Sequence, residues 1–177
     1  MKKLLSLLLV LGAFNAFAQE PNWNLSTLRI GPFKVHMKEA EAIELARKPL
    51  KVPTESNEYN GTTVVKYNNE LLEVSLSQGY IDEQNQEGVF VSEISTKSTK
   101  FKTKSGIGIG SSREELWATY KDFSRIEILK PYDGNGGRIE TDRNFTIYDD
   151  EAGSMLTFVL RNNKVVEIKV AIAYEGC

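Results

Sequence analysis

From residue 155 to residue 173 the chain alternates apolar and polar side chains on either side of a two-residue reversal, and that pattern constrains the fold more than any other feature. Leu156, Phe158 and Leu160 alternate with Thr157 and Val159, Asn162-Asn163 makes a tight turn, and Val166, Ile168, Val170 and Ile172 form a second apolar row. A period of two puts every second side chain on one face of a strand, so this stretch predicts an antiparallel hairpin with one face in a core. Such a face has to be covered by other elements of the chain.

Two short helices are predicted to do so. Residues 37–47 are rich in strong helix formers, with Ala40, Ile43 and Ala46 at helical spacing, and Pro49 and Pro53 follow where a helix cannot continue. The second helix starts near Arg113, because Ser112 and Glu115 have the spacing of a capping box, and it buries Leu116 and Tyr120 before ending near Asp122. Strands are expected over residues 63–67 and 72–76 around the turn Asn68-Asn69-Glu70, over 89–96 after a polar loop at 77–88, and over 125–130 and 145–148. The glycine-rich 133–137 and the acidic 149–153 are turns.

The halves also repeat one another at an offset of 74: Val35 matches Ile109, Glu41 matches Glu115, Val91 matches Val165, Glu93 matches Glu167 and Ile94 matches Ile168. The expected fold class is α+β, with two related units, each a short helix packed on an antiparallel sheet. The first unit spans 19–104 and the second 105–177.

Ahead of them, Lys2 and Lys3 precede a run of leucines too short to anchor in a bilayer, and Ala16-Phe17-Ala18 offers small residues at a cleavage site. Residues 1–18 therefore read as a signal peptide, and the mature chain as a periplasmic or secreted protein without a stable membrane anchor. Cleavage leaves 177 − 18 = 159 residues and takes the 22 basic side chains to 20 against 24 acidic ones, a net charge of −4. That balance argues against nucleic acid as a partner. The one cysteine, Cys177, leaves no internal disulfide, so packing has to hold the fold. The sequons at Asn24, Asn60 and Asn144 are incidental in a chain with a bacterial type of leader.

Catalytic chemistry finds little to work with. The single histidine, His36, has no nucleophile motif beside it, and one histidine with one cysteine cannot build a zinc site without carboxylates supplying most of the ligands. Gly106-Ile107-Gly108-Ile109-Gly110 lacks the lysine of a phosphate loop and suits a connector that packs its isoleucines. Asp133-Gly134-Asn135-Gly136-Gly137 lacks the carboxylate that would complete a calcium loop. Lys97, Lys100, Lys102 and Lys104 read as protection for an exposed edge strand between the halves. The expectation is a protein that is not an enzyme and carries no cofactor or metal.

The unit Ile109-Gly110-Ser111-Ser112-Arg113-Glu114-Glu115-Leu116, followed by antiparallel strands, resembles the helix-then-sheet repeat of the β-lactamase-inhibitor-like proteins. Met37-Lys38-Glu39-Ala40-Glu41 resembles the helix start of the SmpA/OmlA lipoproteins of outer-membrane barrel assembly, although here no cysteine follows the leader. These resemblances imply tandem α-β units that present a sheet face to a partner. Function is then expected to be binding: an inhibitor-like interaction module of the cell envelope, meeting an envelope protein through Glu73, Ser75, Glu93, Thr157, Glu167 and Lys169, with Tyr67 and Tyr148 nearby. The alternative is a carrier of a small apolar ligand, lined by Trp117, Tyr120, Phe145 and Phe158.

Overall fold

A computed structural model describes residues 20–52, 61–80 and 87–173, with the backbone alone for Tyr80. The expected leader, Asn60 and Cys177 lie outside the described residues.

A small antiparallel sheet of β1 (Leu25–Ser26), β2 (Arg29–Ile30) and β3 (Phe33–Lys34) leads into α1 (Glu39–Ala46). A meander follows: β4 (Thr62–Tyr67), β5 (Glu70–Tyr80) and β6 (Glu87–Thr96). After α2 (Arg113–Tyr120) and β7 (Ile126–Leu129) comes a second meander of β8 (Asp142–Asp149), β9 (Ser154–Arg161) and β10 (Lys164–Ile172). The meanders join through β6 and β10 into one antiparallel seven-stranded sheet, ordered β4-β5-β6-β10-β9-β8-β7. The class is therefore α+β.

Local chemistry explains the tightest features. Asn68-Asn69 and Asn162-Asn163 all have positive φ, between 45° and 71°, the combination that a two-residue hairpin needs to match the strand twist and that asparagine tolerates. Ser112 caps α2 reciprocally with Glu115: the Glu115 amide donates to the Ser112 hydroxyl at 3.2 Å, and the Ser112 amide donates to the Glu115 carboxylate at 2.6 Å. At Gly31, between β2 and β3, φ is +61° and a Cβ would come within 2.9 Å of the Asn22 carbonyl and the Phe101 ring. Only glycine fits there.

One face of the large sheet forms the core. Leu72, Val74, Ile94, Phe158, Ile168 and Val170 are buried on it, beneath Ala42 of α1, Leu116 and Tyr120 of α2, and Ile30 and Phe33 of the small sheet. Tyr120 stacks on Phe158 with ring centroids 6.0 Å apart, and Trp23 meets Tyr67 and Phe101 edge-on at 5.7 and 5.2 Å. Backbone bonds tie each helix to its meander. His36 N donates to Val91 O and Val91 N to Met37 O, both at 2.9 Å, while Gly110 N donates to Val165 O and Val165 N to Ser111 O at the same length.

Several expectations need correction. Val166 does not belong to the inward row: Val165 pairs with Leu160 and Glu167 with Val159, so Val166 is the extra residue of a β-bulge and Val165 is buried instead. In α1 the fully buried residue is Ala42, while Ala40 is exposed and Ile43 and Ala46 pack only partly. The loop expected over 77–88 is shorter, since β5 runs to Tyr80 and β6 begins at Glu87. The lysines from 97 to 104 guard no edge. They follow β6, an inner strand, and their stretch bonds to the N-terminal segment through Leu25 N to Lys102 O at 3.0 Å, with Phe101 wholly buried.

Candidate functional site

The helices and the small sheet all pack on one side of the seven strands. Register alone arranges the other face. Its central row runs Val64, Glu73, Ser95, Lys169, Thr157, Thr146 and Glu127, one residue from each strand in sheet order. A row to one side runs Ser75, Glu93, Ala171, Met155 and Tyr148, and a row to the other runs Glu167, Val159, Asn144 and Leu129.

Glu73, Ser75, Glu93, Tyr148, Thr157, Glu167 and Lys169 are thus brought onto a single face. Tyr67 is not among them. It shares the parity of Val65, which is buried, and its hydroxyl accepts the Asn22 amide at 2.7 Å beneath Trp23, on the covered side. Thr157 is on the face but is almost wholly buried, hydrogen-bonded to Thr146 at 3.0 Å between longer neighbours. Ser95, Thr146 and Glu127 are on the face as well and were not anticipated. The i, i+2 rule from Glu93 to Ser95 and from Tyr148 to Thr146 was the signal available for two of them.

Charges on this face are interleaved. The Lys169 ammonium lies 3.5 Å from Glu167 and 4.0 Å from Glu93, Lys97 reaches Glu167 at 3.9 Å, and the Ser95 hydroxyl donates to Glu73 at 3.3 Å. Such exposed pairs contribute about 0–1 kcal/mol each, so they pattern the surface more than they hold the fold. Toward β7 the Tyr148 hydroxyl donates to Glu127 at 2.8 Å, and the Arg125 guanidinium lies 4.0 Å over the Tyr148 ring while bonding Asp150 at 2.8 Å. Partial burial, reinforced by the Glu127 carboxylate and opposed by Arg125, raises the Tyr148 phenol above its ordinary value. The arrangement offers hydrogen-bond donors, acceptors and alternating charge, the chemistry of recognition.

A second feature lies on the covered side, where the small sheet meets the end of α2. A cleft of about 950 Å³ there is lined by Leu25, Thr27, Tyr120, Phe123, Asp149 and Leu156, among others. Asp149 is held by the Thr27 hydroxyl at 2.9 Å and the Ala152 amide at 3.1 Å. Burial raises the Tyr120 phenol. Of the four aromatics expected to line a ligand pocket, only Tyr120 borders this cleft: Phe145 and Phe158 are sealed in the core beneath it, and Trp117 is half exposed elsewhere on α2. The Asp133 loop is a plain turn, with the Asp133 carboxylate accepting the Asn135 and Gly137 amides at 2.8 and 3.0 Å.

No family model and no curated protein matches the chain. Among solved structures, the crystal structure of a DUF4309 family protein, YjgB, from Bacillus subtilis matches with a TM-score of 0.35 and 15% identity, over 69% of this chain and 71% of that one. A likeness at that score carries no argument about fold or function.

Proposed function

We propose that this chain is an exported, non-catalytic interaction module of the bacterial cell envelope, which docks a protein partner on the uncovered face of its seven-stranded sheet. One observation carries the reading: seven strands align hydroxyls and alternating charges in continuous rows, and all the covering elements pack on the opposite side. An antiparallel sheet can leave one face in water, and the mixed hydroxyls and charges of this one suit a flat partner with a polar rim. The leucine-rich leader supports export.

We also propose that the halves are two related units. Support comes from details that recur at the sequence offset of 74. The helices begin at Glu39 and Arg113, and the capping residues Lys38 and Ser112 bridge to Phe90 and Lys164. Ser92 is the extra residue of a bulge in β6 as Val166 is in β10, and His36 and Gly110 both take positive φ ahead of their helices. Bulges and left-handed residues are local faults in regular structure, so their agreement weighs more than matching strands would.

The test is site-specific photocrosslinking in the native envelope. A photoreactive residue at Ser75 or Lys169 is expected to capture one discrete partner, and the same residue at Glu44 on α1 none. Equal capture from both sides, or none from the open face, overturns the reading. The cleft beside Tyr120 favours a second reading, a carrier of a small, partly apolar ligand. Native mass spectrometry of the protein purified from its own envelope decides it: a bound mass lost in Tyr120→Ala supports the carrier, and its consistent absence removes it.

A further inference from the structure

The two margins of the large sheet differ in a way that has no bearing on which face binds a partner. At β4, the Leu76 amide donates to the Gly61 carbonyl at 3.3 Å, which sets the pairing phase so that Thr62, Val64 and Lys66 turn their backbone groups outward. Lys48 and Lys51, just after α1, reach that margin. Lys48 Nζ donates to the outward Val64 carbonyl at 2.9 Å, and the Lys51 amide donates to the Thr63 hydroxyl at 2.8 Å. A lysine on an edge is a familiar obstacle to further strand pairing.

At β7 the Tyr148 amide donates to the Arg125 carbonyl at 3.1 Å, so the same alternation turns the backbone groups of Ile126 and Ile128 away from β8. Among the described residues no hydrogen bond reaches them from outside the strand. The side chains add to the exposure. Ile128 is 41% exposed on the covered-face side, Leu129 is 47% exposed on the open-face side, and Phe123 just before the strand is 50% exposed. A short apolar edge with outward donors and acceptors is a template for another strand.

We infer that β7 is a self-association edge, on which β7 of a second copy of this chain pairs antiparallel about a two-fold axis and joins two seven-stranded sheets into one. The sequence of the edge selects the copy and the register. Antiparallel self-pairing has to set outward-facing residues opposite one another, which leaves three central registers. With Ile126 opposite Ile128 of the second copy, Glu127 meets its own copy and repels it. With Ile128 opposite itself, Glu127 faces Leu129 and Ile126 faces Lys130, so neither charge finds a partner. With Ile126 opposite itself, Arg125 meets Glu127 of the second copy on the open-face side, twice over by symmetry, and the two Ile126 side chains meet on the other side. Arg125 has a second guanidinium nitrogen for that contact, since its bond to Asp150 uses Nη1 alone.

Pairing over residues 124–128 is shorter than a standard protein interface, so the dimer is expected to be concentration-dependent. Sedimentation equilibrium of the purified chain from about 5 to about 500 μM tests it, with apparent mass expected to rise toward twice the monomer value. Arg125→Glu places like charges opposite one another and is expected to weaken the dimer at least about tenfold, and Arg125→Glu combined with Glu127→Arg to restore it to within about threefold. Ile126→Pro, which removes an outward N–H, is expected to abolish dimerisation. A chain that stays monomeric throughout, or a dimer that Arg125→Glu leaves intact or the double reversal fails to rescue, overturns the inference.

Discussion

Helix α1 lays Ala42 against the sheet where helix α2 lays Leu116. Both side chains are fully buried, and each residue donates its amide at 3.1 Å to the carbonyl of the capping residue, Lys38 in one helix and Ser112 in the other. The frames agree while the filling differs. Ahead of α1, Ile30, Phe33, Val35 and Met37 all reach the core, so the leading segment supplies the volume that Ala42 does not. Ahead of α2 the glycine-rich connector brings only Ile107 and, partly, Ile109, and the helix supplies the bulk through Leu116 and Tyr120. The space over each meander is shared between a helix and the segment before it, and the share can shift while the backbone hydrogen bonds stay the same.

Reversing the filling tests this directly. Leu116→Ala opens a cavity that the connector is too small to fill and is expected to cost about 2–5 kcal/mol. Ala42→Leu forces an extra side chain against an already filled segment and is expected to cost about 1–3 kcal/mol. Urea denaturation measures both, and a neutral Ala42→Leu would mean that the N-terminal sheet yields easily, so that the two halves are packed alike after all.

The caps give a smaller contrast. Ser112→Ala removes the side-chain acceptor from the start of α2 and is expected to cost about 1 kcal/mol. Helix α1 has no side-chain cap, although Lys38 already has the extended backbone of a capping residue and Glu41 stands three residues on. Lys38→Ser therefore completes a capping box and is expected to raise stability by about 0.5–1 kcal/mol. A thermal melt that shows no gain would mean that the backbone bridge from Lys38 to Phe90 holds the start of α1 in a geometry the box cannot use.

The slightest effect is electrostatic. Hydrogen bonds from the Ser112 backbone and then its side chain, with minor help from Lys164 and Lys102, lower the Glu115 carboxyl below its ordinary value of 4.5. A lowered carboxylate contributes stability that is present above its unfolded value and lost as the pH falls through the folded one. The urea midpoint of the wild type is expected to drop from pH 6 to pH 3 by more than that of Glu115→Gln, and identical drops would dissociate Glu115 from the cap.

The strand positions of the large sheet, both asparagine turns, the α2 cap and the inward pair Leu116 and Tyr120 were legible in the residues, because period, turn propensity and capping act within a few positions of one another. The parity of Glu73, Ser75, Glu93 and Lys169 was legible too, since alternation along one strand settles which residues share a face. Val166 and Tyr67 were misread for different reasons. A bulge near the start of β10 inserts a residue without any apolar signature, and in β4 the adjacent Val64 and Val65 leave open which parity is inward until Trp23 and the Asn22 amide meet Tyr67 on the side of Val65.

Local pattern therefore determined the strands of the large sheet, their asparagine turns and the start of α2, because those depend on neighbours along the chain. Tertiary structure decided that β6 pairs with β10 and not with an edge, that both helices cover the same face, and that β4 is guarded by Lys48 while β7 is not. Those outcomes depend on contacts between residues far apart in sequence, where the balance is struck between burying apolar area and satisfying backbone groups, and no short window of residues contains both sides of that balance.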